Sequence, residues 1–313
     1  MNRRNFIRQS VQATAILSLG GAALSSCTPK AAMTDGSGEL FFKISLAQWS
    51  YHRALQAGEM DALEFAAAAR RHECEGLEYV SNFYRKTIGQ KGYVQQMGQR
   101  AADEGVQNLL IMIGGEGPLA SPDSKKRMES IDKHKKWIDA AHTLGCHSVR
   151  VDLRGGEHKA EAAEASVESL TRLAEYASDA NVNILVENHG GFSSDGAWLA
   201  GVMKRVKPKN HGTLPDFGNF CIEKDKQRNC LEEYDRYQGM KELLPYAIGV
   251  SAKSYDFDEQ GNETTLDYPR ILRMVKEVGY RGFIGIEYEG RRLPEPEGIR
   301  LTRQLLLKAG SAL

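Results

Sequence analysis

The chain from residue 39 to 313 predicts an α/β fold, a single (β/α)8 barrel of the TIM type, on three observations. Short apolar runs rich in β-branched residues alternate with longer amphipathic segments, and each kind comes eight times. Gly105, Gly145 and Gly279 directly follow amphipathic segments, in the position where glycine ends a helix before the next strand. A chain of 313 residues is long enough to complete the barrel in one domain.

In chain order the expected strands cover 41–49, 76–80, 106–114, 148–153, 182–187, 211–216, 247–252 and 283–289. Their apolar character suits a parallel sheet whose outer face is covered by helices. Helical patterns occupy 60–71, 93–104, 124–144, 161–180, 197–206, 268–278 and 294–309. The segment 232–244 is assigned as the remaining helix, interrupted by Gly239 and ended by Pro245. No G-x-G-x-x-G follows the first strand, which argues against an open dinucleotide-binding sheet.

Lys and Arg together number 41 and Asp and Glu 41, so the formal charge is zero and nothing marks a nucleic-acid partner. Among Cys74, Cys146, Cys221 and Cys230 no metal-type spacing occurs. Cys221 and Cys230 are close enough for a loop disulfide in an oxidising compartment, and buried free thiols remain the alternative.

Chemistry is expected where carboxylates close apolar strands, because a buried carboxylate needs a metal, a cation or a proton. Glu187 ends NILVENHGG, Asp216 ends GTLPDFGNF and Glu287 ends FIGIEYEG, all at the barrel mouth where catalytic groups gather. Trp49 and His52 at the end of the first strand are candidates for the floor of the mouth, with core packing as the alternative. Glu78 and Tyr79 are read as possible barrel lining. Arg150, Asp152 and Arg154 alternate along the fourth strand and so face one side, forming a polar mouth. His147 and His211 begin their strands, at the far end of the barrel, and are read as structural.

Taken together, Glu187-Asn188-His189, Asp216-Phe217-Gly218-Asn219, Lys253 and Gly285-Ile286-Glu287 resemble the xylose-isomerase-like barrels, over roughly residues 44–307. That group includes sugar isomerases, ketose 3-epimerases, inosose-processing enzymes and an endonuclease. The resemblance implies a divalent cation (Mn, Mg, Co or Zn) held by Glu187, Asp216 and Glu287. The chain departs from the family's H-x-K-D, which reads Ser251-Ala252-Lys253-Ser254, and from its D-x-x-H, where Asn219 takes the last place. His189, two residues beyond Glu187, points the same way in an extended segment and can supplement the ligands. The alternative is that the Lys253 ammonium takes the metal's place.

The function so implied is that of a sugar isomerase or epimerase, removing a proton next to the carbonyl of a free or glycosidic sugar with metal assistance. Glu187 and Glu287 would serve as base and acid, Lys253 and His189 as contacts to the developing oxyanion, and Trp49, His52, Arg154 and Asn219 as substrate-binding residues. A lyase acting on a 3-keto-glycoside by the same enolisation is the second reading. A non-catalytic, lipid-anchored carbohydrate-binding protein is the third.

Residues 1–27 read as a twin-arginine signal peptide, from Arg3-Arg4-Asn5-Phe6-Ile7 through a mild apolar stretch to Leu24-Ser25-Ser26-Cys27. The last four residues resemble a lipobox, with Cys27 the lipidated residue, and 28–38 would be a flexible tether. The expected location is periplasmic, membrane-anchored only through the lipid, with a small carbohydrate as partner. Replacing Arg3 and Arg4 with lysine should leave the protein in the cytoplasm, as cell fractionation would show; continued export would refute this route.

Overall fold

A computed structural model describes residues 40–313. The expected signal peptide with Cys27 and the expected tether over 28–38 lie outside the described residues. Among those described, ten strands follow in chain order: β1 (Lys43–Ala47), β2 (Gly76–Val80), β3 (Gln107–Met112), β4 (Ser148–Val151), β5 (Asn183–Glu187), β6 (His211–Leu214), β7 (Cys221–Lys224), β8 (Cys230–Glu233), β9 (Val250–Ser254) and β10 (Phe283–Tyr288). Eight of them pair in parallel in the order β6-β5-β4-β3-β2-β1-β10-β9. These eight are the expected barrel strands; β2 keeps the expected bounds, β9 is shifted to end at Ser254 rather than 252, and the other six are shortened.

Closure of the sheet between β6 and β9 is irregular for a reason visible in the sequence. Pro215 has no N–H to donate to a ladder, so regular pairing of β6 stops at Leu214. Ser251 N instead donates to the Pro215 carbonyl at 2.9 Å, and Phe217 N donates to the Ser251 carbonyl at 3.1 Å. Single bridges pair Thr213 with Ala247 and Asp216 with Ser251. Asp216 is thereby held beside Ser251 at the barrel mouth.

Helices at Phe65–Arg71, Tyr93–Asp103, Ser124–Leu144, Lys159–Ser178, Gly196–Met203, Tyr268–Glu277 and Glu295–Ser311 lie within a few residues of the expected positions. Gly145 caps the longest of them in the left-handed conformation, φ 75°. Among the described residues no helix is long and apolar enough to cross a membrane.

The expected helix over 232–244 is corrected. Cys230–Glu233 belongs to a two-stranded antiparallel hairpin with β7, closed by a Cys221–Cys230 disulfide. The helix begins only at Arg236, where the Asp235 side chain accepts from Gln238 N at 2.7 Å. Helical periodicity in this segment ran through a capping aspartate into a strand fixed by a partner nine residues earlier. Cys74 and Cys146 are free and buried.

The main core lies between strands and helices, around Trp137, Phe65 and Leu77. A smaller apolar layer inside the barrel comprises Ala47, Val80, Leu110, Met112, Leu185 and Leu214. Adjacent strand residues face opposite sides, so Glu78 and Tyr79 cannot both line the barrel. Tyr79 packs outward on Phe65 and Tyr84. Glu78 turns inward, accepts from Ser45 Oγ at 2.6 Å, and fills the space where a Cβ on Gly285 would stand 2.3 Å from its Oε1.

Burial raises the Glu78 carboxyl from 4.5 to about 8; the Ser45 hydrogen bond opposes this and the charges of Glu287 and Glu187 add to it. The folded protein therefore holds a proton that the unfolded chain releases above pH 4.5. This contribution to stability is complete below pH 4.5 and is lost as pH rises toward 8, at up to about 1.4 kcal/mol per pH unit. Glu78→Gln should flatten urea-denaturation stability over that window, and an unchanged slope would show that Glu78 is ionised.

Candidate active site

At the carboxyl ends of β5, β6, β9 and β10 the barrel brings Glu187, Asp216, Lys253 and Glu287 together, all essentially excluded from water. Lys253 Nζ lies 3.0 Å from Glu287 Oε1, 3.3 Å from Glu289 Oε2 and 3.8 Å from Asp216 Oδ2. Burial disfavours its charge, but these three carboxylates outweigh that and hold the ammonium well above its ordinary range.

Ser251, in the place of the family histidine, sits between two acids: its Oγ is 2.7 Å from Asp216 Oδ2 and 2.9 Å from Glu287 Oε2. A hydroxyl has one proton to donate, so the second contact requires a proton on a carboxyl. Asp216 meets that need, because burial pushes it from 3.8 to about 7, against Lys253 and with the help of the Glu187 and Glu287 charges. Its other oxygen accepts from Gly218 N at 2.8 Å and Asn219 N at 2.9 Å.

Glu187 is held by neighbours on both sides. Asn219 Nδ2 donates to its Oε1 at 2.9 Å. Arg150 Nε lies 2.8 Å from its Oε2 but out of line, and neither atom has a hydrogen-bond partner. Arg150 Nη1 donates to Asp152 Oδ1 at 2.7 Å, and His189 Nδ1 lies 3.0 Å from the same oxygen. Burial opposes charging of His189, yet Asp152 and Glu187 raise its pKa. Arg154 Nη2 reaches the His189 carbonyl at 3.1 Å.

Above this cluster opens a cavity of about 1050 Å³, lined by Trp49, Arg150, Asp152, Arg154, His189, Asn219, Glu287 and Glu289, among others. Of the expected residues, Glu187, Asp216 and Lys253 lie beneath its lining and Glu287 reaches it. His52 does not line it; its ring stacks on Trp49 at 4.9 Å and its Nδ1 contacts the Trp49 carbonyl at 2.8 Å. Trp49 Nε1 donates to Glu289 Oε1. Sequence reasoning missed Glu289, although it stands two residues beyond Glu287 and so on the same side of the strand.

The ligand set fits a hard divalent cation. Oxygens of Glu187, Asp216 and Glu287 lie within 4.8 Å of one another, and Glu187 Oε2 is a buried acceptor without a donor. Ser251 adds a hydroxyl where an imidazole is expected, so the set is all oxygen and suits magnesium or manganese better than zinc. His189 falls instead in a second cluster, with Asp152 and Glu187.

Residues 66–309 match the xylose isomerase-like TIM barrel family. The chain belongs to that family. Among solved members of this fold, 3-keto-D-glucoside 4-epimerase from E. coli superposes with a TM-score of 0.64 at 14% identity, covering 85% of this chain and 99% of that one. A xylose isomerase-like TIM barrel protein from Mycobacterium smegmatis, in complex with magnesium, superposes at 0.61 with 14% identity, covering 87% and 97%. A segment of 66 residues is 47% identical to the C-glycoside deglycosidase alpha subunit of Arthrobacter globiformis, 20% of this chain and 19% of that one. The matched segments span less than a fifth of the curated relatives' length.

Proposed function

We propose that this barrel removes a proton from the carbon next to the carbonyl of a free or glycosidic sugar, as an isomerase or epimerase does. The observation that carries the reading is the convergence of Glu187, Asp216 and Glu287, the last two paired with Lys253, under a mouth cavity large enough for a sugar. Such a set of buried carboxylates is costly to maintain for binding alone.

In this reading Glu287, whose carboxylate reaches the cavity, takes or returns the proton, and Glu187 is its counterpart behind Arg150 and Asn219. Asn219 is a positioning residue, fixing Glu187 through its amide and Asp216 through its backbone. His189 and Arg154 face the cavity and supply donors to the oxygen that becomes negative, while Lys253 balances the carboxylates from below. Trp49, fixed by Glu289, offers an apolar ring to the sugar face. A divalent cation on Glu187, Asp216 and Glu287 would supply polarisation of the carbonyl.

The second reading, elimination from a 3-keto-glycoside by the same proton abstraction, is favoured by the segment 47% identical to a C-glycoside deglycosidase subunit. Twin-arginine export and anchoring through Cys27 complete the proposal, supported by the order of arginines, apolar stretch and cysteine in residues 1–27.

Incubation of a ketose and of a 3-keto-glucoside in deuterium oxide tests the chemistry. Wild type should exchange the hydrogen next to the carbonyl of at least one, and Glu287→Gln and Glu187→Gln should each lower that rate by about 10²-fold or more. Exchange undiminished in both variants would remove the pair from the reaction.

A further inference from the structure

A second cavity, of about 420 Å³, opens beside the first, and the two share Arg154, Gly155, Gly190, Gly191 and Ile222. Gly190 and Gly191 both have positive φ, 83° and 61°, and a Cβ on either would meet nothing within 4 Å. The wall common to the two cavities therefore carries no side chain there, and a ligand seated over Glu287 has room to continue past it.

The second cavity differs in chemistry from the first. Its apolar surfaces come from Leu153, Phe192 and Ile222. Phe192 is fixed against Trp198, with ring centroids 5.9 Å apart. Ile222 projects from β7, which the Cys221–Cys230 disulfide ties to β8. The turn between these strands is closed by Asp225, whose carboxylate accepts from Asn229 N at 2.8 Å and Asn229 Nδ2 at 2.9 Å. The disulfide and the closed turn thus restrict the backbone freedom of the hairpin that carries Ile222.

The cations around this cavity already have partners. Lys159 Nζ donates to Asp195 Oδ2 at 2.8 Å, and Arg154 is engaged by Asp152 and the His189 carbonyl. Glu223 and Glu232 face each other across the hairpin and are exposed at its edge. Lys159 is thus paired, and the carboxylates of Glu223 and Glu232 stand at the exposed rim, while Phe192 and Ile222 present apolar surface beside the glycine wall, which suits a flat apolar group.

We infer that this cavity is a subsite for the apolar, aromatic aglycone of a glycoside whose sugar occupies the first cavity. The inference rests on the proton-abstraction reading for its sugar, and it selects glycosides over free sugars.

The test uses the full chain with phenyl and methyl 3-keto-β-D-glucosides and a 3-keto-disaccharide, measuring Kd by calorimetry and, separately, hydrogen exchange with deuterium oxide. The phenyl glycoside should bind about tenfold or more tightly than the other two. Phe192→Ala and the surface variant Ile222→Lys should each bring the phenyl-to-methyl ratio close to one. Equal binding of phenyl and methyl compounds, tighter binding of the disaccharide, or a preference untouched by both variants would overturn the subsite. Tighter phenyl binding lost in the variants, without exchange on any compound, would uphold the subsite and refute the proton-abstraction reading instead.

Discussion

Negative charge buried under the barrel mouth is the constraint on which the site depends. Glu78, Glu187, Asp216 and Glu287 all lie out of water at or just below the ends of the strands. Ionised together without compensation they would be untenable in a medium of low polarity. Compensation comes from three sources. Lys253 lies among Asp216, Glu287 and Glu289. Arg150 bridges Glu187 and Asp152. Protons on Glu78 and Asp216 supply the remainder near neutral pH, as burial demands.

Substitution of serine for the family histidine reads differently in this setting. An imidazole at position 251 would be a metal ligand, whereas the Ser251 hydroxyl joins Asp216 to Glu287, with a proton on Asp216 completing the second contact. The acidic residues thus keep their positions without the imidazole. Asn219 shows the same pattern, binding the Glu187 carboxylate through its amide where the family has a histidine. Both replacements place a hydroxyl or an amide where the resemblance implies imidazole, which shifts the ligand set toward oxygen.

Much of this was legible in the chain because strand periodicity and barrel topology are local and repetitive. Eight apolar runs gave eight strands, and a carboxylate at the end of a run is necessarily near the mouth. The alternation of Arg150, Asp152 and Arg154 correctly put all three on one side, and all three line the cavity. Glu289 carries the same signal, two residues after Glu287. What could not be read is non-local. The depth of Lys253 below the cavity, the stacking of His52 on Trp49 and the choice between thiols and a disulfide at Cys221 and Cys230 depend on neighbours distant in sequence or on hairpin register. The helix assigned to 232–244 failed because its periodicity contains no mark for strand pairing. The opposite faces of Glu78 and Tyr79, by contrast, follow from strand geometry alone.

The central claim is that Glu187, Asp216 and Glu287 form a divalent-cation site despite Ser251. It is tested most directly by metal content after dialysis against manganese or magnesium, in wild type and in Asp216→Asn, with folding checked by circular dichroism. About one ion per chain in wild type, lost in the variant, is the expected result. No bound ion in a folded wild-type protein would contradict the claim and leave Lys253 as the charge that replaces it.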